Sequence, residues 1–325
     1  MMKAPYSTTV CFGWLLLLWL PSLSLHGQYA TEIYVAQDGS GDFTRIQAAI
    51  DATKSFPDQR ITIYIADGVY EEKVVVPAWN PRLTLRGESR AGTIIRWGDH
   101  FEAVDRGRNS TFMTATLRVE ARDFRAENLT VENTAGPVGQ ALALSVAGDR
   151  CAFVNCRFSG HQDTLYVAGE GHGQYFRRCL IEGTTDFIFG EATAVFERCE
   201  VRAKANSFLT AASTPQGQPY GLVFLDCRLT AEPEVDAVYL GRPWRAYAQT
   251  AFIRCEMGKH IRPEGWDNWG SAAREQTTFY AEFASTGPGA DPSARVAWAH
   301  QLSRQQAKPY SARQILGGWI ARAGR

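Results

Sequence analysis

From Ile61 onward, apolar residues come in short runs rich in Val, Ile, Leu, Phe and Thr, broken by Gly, Asn and Asp. That pattern predicts many short strands rather than long helices. Within it a unit recurs in which a cysteine follows an aromatic residue at a fixed offset: Phe153 to Cys156, Phe176 to Cys179, Phe196 to Cys199, Phe224 to Cys227 and Phe252 to Cys255. Asn128 extends this register backward, since it precedes Cys156 by the same step that separates Cys199 from Cys227. The units are too short for propeller blades and lack a leucine-rich signature. They predict an all-β parallel β-helix, in which each coil hides part of its apolar face and stacking makes the core continuous.

The two ends depart from the repeat. Ile33–Ala36 reads as a strand, Asp38–Gly41 as a turn, and Asp42–Ile50 carries apolar residues at helical spacing, with Asp42 as the expected N-cap. This short N-terminal helix is expected to cap the solenoid and cover an open sheet edge. From Ser271 to Arg325 the repeat fades, and loops and short helices packed along the solenoid are expected. Lys3, the apolar run Cys11–Leu20, Pro21 and the small or polar stretch to Gln28 read as a secretory signal peptide over residues 1–27. The run is shorter than the roughly 20 residues a spanning helix needs. A single secreted domain over residues 28–325 is expected, extracellular or periplasmic according to the source, without membrane attachment and as a monomer.

Composition narrows the partners. With 34 basic and 34 acidic side chains, no global field draws the chain to nucleic acid or anionic lipid, which leaves only a local basic groove open. Cys151 and the five column cysteines remain after the leader. A column of stacked cysteines suits burial as small apolar groups. Adjacent coils also lie within disulfide reach, and Cys179 to Cys199, the shortest separation in the column, is the expected bridge. Scattered His residues and the lack of a Cys-x-x-Cys pair argue against zinc.

The repeat also places chemistry. Asp163 and Asp186 stand at the same offset from Cys156 and Cys179, so they are predicted to be stacked neighbours about 4.8 Å apart. Two carboxyls this close do not ionise together, which leaves an acid beside a carboxylate. Gln162 precedes Asp163, and Gln140 lies one coil earlier, where its amide is placed to donate to an oxygen gaining negative charge. Arg242, in Leu240-Gly241-Arg242-Pro243-Trp244, is suited to hold one Asp ionised, and Trp244 offers a flat face for a sugar ring.

These residues resemble the pectin methylesterases, or pectinesterases. The matching pieces are Gly41-Asp42-Phe43-Thr44, Gly68-Val69-Tyr70-Glu71-Glu72, the Gln140 segment, Gln162-Asp163-Thr164-Leu165, Asp186-Phe187-Ile188-Phe189-Gly190 and the Arg242 segment. The resemblance implies a right-handed parallel β-helix and a cofactor-independent aspartyl esterase acting on methyl-esterified homogalacturonan. It also implies roles: Asp186 as nucleophile, Asp163 as general acid and then base, Gln140 and Gln162 around the oxyanion, and Arg242 orienting Asp186. Tyr166, Trp244, Trp266 and, more weakly, Phe112 match the family's aromatic sugar contacts. Ser145 follows Leu144 where the family often has Arg.

Two other readings use the same residues. A glycosidase also employs two close carboxylates, although paired amides and an Arg on the nucleophile suit an ester oxyanion better. A silent carbohydrate-binding solenoid is expected to lose one of the acids or the Arg, and here all three are present.

Overall fold

The computed structural model describes residues 1, 2, 4 and 29–322. The expected leader thus lies outside the described residues, apart from residues 1, 2 and 4. The chain winds through three sheets of 11, 8 and 7 strands, and each coil visits them in turn. One coil shows the pattern: Cys151–Val154 joins the first sheet, Arg157–Ser159 the second and Leu165–Val167 the third, before Gly173–Arg177 returns to the first. Neighbouring coils pair in parallel and in register, as in Phe153 with Phe176 and Leu165 with Ile188. The fold is a right-handed parallel β-helix, the sense that parallel crossovers follow.

In-register stacking explains the aromatic repeat. Phe153, Phe176, Phe196, Phe224 and Phe252 form one column inside the helix, with successive ring centroids 4.5–4.8 Å apart and rings nearly parallel. Each ring is fully buried, so the repeat supplies both apolar burial and offset stacking at every coil.

The corner between the first and second sheets takes only two residues, and the first adopts a left-handed conformation in coil after coil. Asn128, Asn155, Arg178, Arg198, Asp226 and Arg254 all have φ between 52° and 55°. This corrects the register expected for Asn128. Glu127 pairs with Val154 and Thr130 with Arg157, so Asn128 stacks on Asn155 and Leu129 takes the place of the cysteine.

The cysteine column is buried, and its thiols are free. The expected Cys179–Cys199 bridge is therefore absent, for a geometric reason. In-register parallel strands keep their Cα–Cβ bonds parallel at the strand spacing of about 4.8 Å, whereas a disulfide needs Cβ atoms about 3.8 Å apart. Each thiol instead points at a carbonyl of the preceding coil: Cys179 Sγ is 3.5 Å from Phe153 O, Cys199 Sγ 3.5 Å from Phe176 O, and Cys227 Sγ 3.3 Å from Phe196 O.

The capping helix spans Ile46–Asp51 and covers the N-terminal end of the core with Ile46, Ala49 and Ile50. Asp42 does not cap it, because its carboxylate accepts from the Tyr34 amide at 2.8 Å. The first amides of the helix are met by Glu72, a buried residue distant in sequence, which accepts from Ile46 N at 2.9 Å and Gln47 N at 3.1 Å. An acceptor at this end satisfies orphan donors and complements the helix dipole.

The C-terminal region holds the short helices Ala272–Glu275, Arg304–Ala307 and Ala312–Leu316. It also extends the repeat further than expected, since Phe279–Phe283 and His300–Gln301 add two strands to the first sheet. Ala312 and Leu316 cover the outer apolar face of that sheet, packing on Tyr175, Val195 and Val223.

Candidate active site

The third sheet carries the predicted chemistry on its outer side. Leu165 pairs with Ile188, which puts Asp163 and Asp186 at matching places two residues before each. Their amides make equivalent bonds to the next coil: Asp163 N donates to Thr185 O at 3.0 Å and Asp186 N to Phe208 O at 2.9 Å. Both residues are left-handed, with φ of 63° and 50°. Asp tolerates this conformation better than most residues, and such backbone strain gathers where a side chain must be aimed.

Arg242 separates the pair. Its Nε donates to Asp186 Oδ1 at 3.0 Å and its Nη2 to Asp186 Oδ2 at 2.7 Å. The guanidinium lies between two aromatic faces, 3.9 Å from the Phe208 ring centroid and 3.8 Å from that of Trp269. A planar fork held between rings is pre-organised for a carboxylate in a way a lysine is not. Gly241 lets this strand approach, because a Cβ there would meet Thr210 Oγ1 at 2.1 Å.

The carboxyl of Asp163 has no hydrogen-bond or ion-pair partner among the described residues. Burial raises its pKa well above the ordinary Asp range, and the neighbouring Asp186 charge raises it further, against a smaller pull from Arg242. Burial also raises Asp186, but there the two Arg242 hydrogen bonds and the Arg242 charge act in the opposite sense. Both groups are raised in net, Asp163 the more strongly for want of a partner, and only Asp186 is held by the arginine fork.

Gln140 and Gln162 are directly stacked, joined by an isolated parallel bridge. The Gln140 segment is fixed by its own backbone: Phe101 N donates to Gln140 O at 2.9 Å, and Leu142 is held on both sides by Thr114 Oγ1 and Asn133 Nδ2 at 3.0 Å. Neither Gln side-chain amide bonds to a described residue, so both donors remain available. Among the described residues no group of three or more His, Cys, Asp or Glu side chains is placed to hold a metal ion.

An aromatic floor adjoins the aspartates. Phe112, Tyr166 and Trp244 gather around Phe189: Tyr166 stacks on Phe189 at 4.8 Å, Trp244 meets it edge-on at 5.7 Å, and Phe112 lies 5.1 Å from Tyr166. The Tyr166 hydroxyl donates to Glu191 at 3.2 Å.

A family model described as pectinesterase matches residues 32–319, nearly all of the described chain. The chain belongs to the pectinesterase family. Pectinesterase 31 of Arabidopsis thaliana is 39% identical over 284 residues, covering 85% of this chain and 89% of that protein. The pectin methylesterase from carrot superposes with a TM-score of 0.85 at 33% identity, covering 90% of this chain and 96% of its own. A pectin methylesterase crystallised in complex with a hexasaccharide gives 0.78 at 30% identity, covering 88% and 97%.

Within this pectinesterase, one expected sugar contact is misplaced. Trp266 is only 1% exposed, stacked on Tyr280 at 4.3 Å, with its indole Nε1 donating to the buried Glu282 at 3.3 Å. It extends the core, so it has no face for a ligand. The aromatic that reaches the site is Trp269, three positions later in the same segment, turned outward by its own left-handed backbone (φ 57°). Phe189, Phe208 and Glu191 also escaped the sequence reading. A signal for Phe208 did exist, because it occupies the rung next to Asp186. The departure at Ser145 is also located: Ser145 pairs with Arg118 in the coil before it and Tyr166 in the coil after, so an arginine borders this position from the adjacent rung.

Proposed function

We propose that this pectinesterase removes methyl groups from methyl-esterified homogalacturonan through Asp186 and Asp163. The ionised Asp186 attacks the ester carbonyl carbon and forms a tetrahedral intermediate, whose oxyanion takes hydrogen bonds from the Gln140 and Gln162 amides. Collapse breaks the bond to the methoxy oxygen as Asp163 gives that oxygen its proton, and methanol leaves. Asp163, now ionised, takes a proton from water, whose oxygen attacks the acyl-enzyme. The free galacturonate carboxyl departs, Asp186 is restored as a carboxylate and Asp163 as an acid. Phe112, Tyr166 and Trp244 supply faces for the neighbouring sugar rings.

The observation that carries this reading is the one-sided arginine clamp. A nucleophile must be charged and aimed, and a leaving-group acid must keep its proton. The clamp on Asp186 and the half-buried, unpartnered Asp163 meet these two needs at adjacent rungs. Sugar-ring contacts fit the aromatic floor, and a relative of similar fold has been crystallised with a hexasaccharide. The leader-like N-terminal sequence supports secretion, and no described helix is long and apolar enough to cross a membrane.

The test is product analysis on highly methylated pectin, run with Asp186→Ala and Asp163→Ala. Methanol release without new reducing ends, lost in both variants, is the expected result. New reducing ends would make the enzyme a glycosidase, and methanol release that survives both substitutions would place the site elsewhere.

A further inference from the structure

The corner between the first and second sheets holds a ladder of six left-handed residues from Asn128 to Arg254, and most of this ladder is internally matched. Asn155 Nδ2 donates to Asn128 Oδ1 at 2.9 Å. Arg254 grips Asp226 with two bonds of 2.7 and 3.0 Å. The two rungs between them are alike in charge. Arg178 and Arg198 fall between the registered pairs Arg177 with Glu197 and Leu180 with Glu200, which puts their backbones about 4.8 Å apart. Both are exposed, and neither guanidinium makes a hydrogen bond or ion pair with a described residue.

These arginines line a groove of about 390 Å³ together with Arg90, Arg202 and Arg228. Two acids also line it, and both are already engaged. Glu200 accepts from Arg202 at 2.8 Å and from Thr230 at 2.9 Å, and Asp226 gives both oxygens to Arg254. The groove therefore carries positive charge without a counterpart, in a chain whose overall charge is balanced. Like charges on adjacent strands repel, and an anion bridging Arg178 and Arg198 would relieve that cost through charge-assisted hydrogen bonds.

We propose that this groove is a second polysaccharide site, which binds a run of free carboxylates on de-esterified homogalacturonan. Cationic rungs repeated at strand spacing suit a polymer with regularly repeated carboxylates better than a single small anion. The groove lies on the corner between the first and second sheets, whereas the aspartate pair lies on the third. The enzyme thereby holds an already processed stretch while its cleft works on esters. The identity of the polymer rests on the proposed activity; the charge argument does not.

The experiment is a calorimetric titration with unesterified oligogalacturonate at low salt, comparing the wild type with an Arg178→Gln/Arg198→Gln variant. An Arg304→Gln/Arg313→Gln variant, altered at exposed residues of the C-terminal helices, makes the same change in net charge elsewhere. Affinity is expected to fall about tenfold in the groove variant and to hold in the control. Methanol release from short, fully methylated oligogalacturonides is expected to be unchanged in both. No loss in the groove variant, or an equal loss in the control, overturns the site. Single-stranded DNA competing for it as well as oligogalacturonate overturns the polysaccharide assignment. Arg178-dependent binding by a protein that releases no methanol would leave the groove standing and remove the catalytic reading instead.

Discussion

Arg242 holds both carboxylate oxygens of Asp186, at 3.0 and 2.7 Å, and makes no hydrogen bond to Asp163 one coil away. Removing the fork while keeping the charge tests what this asymmetry does. Arg242→Lys is expected to lower kcat about a hundredfold with little change in KM, because a point charge does not fix the carboxylate plane. Arg242→Ala leaves a buried carboxylate unpaired and is expected to destabilise the protein by about 3 kcal/mol, measured by denaturant unfolding.

Asp163 gives a pH-dependent prediction. Its pKa is raised in the folded state from an ordinary value of 3.8, so its favourable contribution is complete below about pH 4 and is lost as pH rises toward the folded value. Asp163→Asn removes that loss. Its Tm is expected to match the wild type near the acid end and to exceed it increasingly as pH rises. Thermal scans across pH check this, and a gap that narrows with rising pH would contradict it. In the same pH range the wild-type rate is expected to decline as Asp163 gives up the proton that methanol needs.

The two tryptophans of one segment should fail in different ways. Trp266→Ala opens a cavity in the core and is expected to cost about 3–5 kcal/mol. Trp269→Ala uncovers one face of the Arg242 guanidinium and is expected to lower kcat by up to about tenfold, with the larger part of stability retained. Unfolding curves and methanol assays on both variants separate the two effects.

The thiol column predicts indifference to reductant. Dithiothreitol is expected to leave Tm unchanged, and a thiol reagent is expected to reach Cys156, Cys179, Cys199, Cys227 and Cys255 only after unfolding. Cys151, outside the column, is also buried, and burial raises its thiol pKa, which slows reaction through the thiolate.

Much of this was legible because a solenoid converts sequence offsets into spatial neighbours. The Phe and Cys repeat alone places Asp163 beside Asp186, and the Arg242 segment is recognisable from its motif. What escaped was set by backbone angles and by contacts between distant segments. Asn128 was read one residue out of register because the corner residue, not the buried one, is polar in that coil. Asp42 looked like a cap, but Glu72 arrives from another coil to take that place. Trp266 and Trp269 are equally aromatic in sequence, and only the left-handed turn at Trp269 decides which faces the site. The Cys179–Cys199 pairing failed because proximity alone does not give the inclination of Cβ atoms that a disulfide requires.

The in-register pairing of Leu165 with Ile188 also limits how this enzyme can change. The interval between its two aspartate backbones is a lattice constant, set by the length of the backbone hydrogen bonds between coils, and side-chain replacement in the core leaves it fixed. Selection can therefore retune the acidity of the pair only through the surroundings, by altering the burial of Asp163 or the grip of Arg242. The surroundings remain free to vary around a ruler that does not stretch.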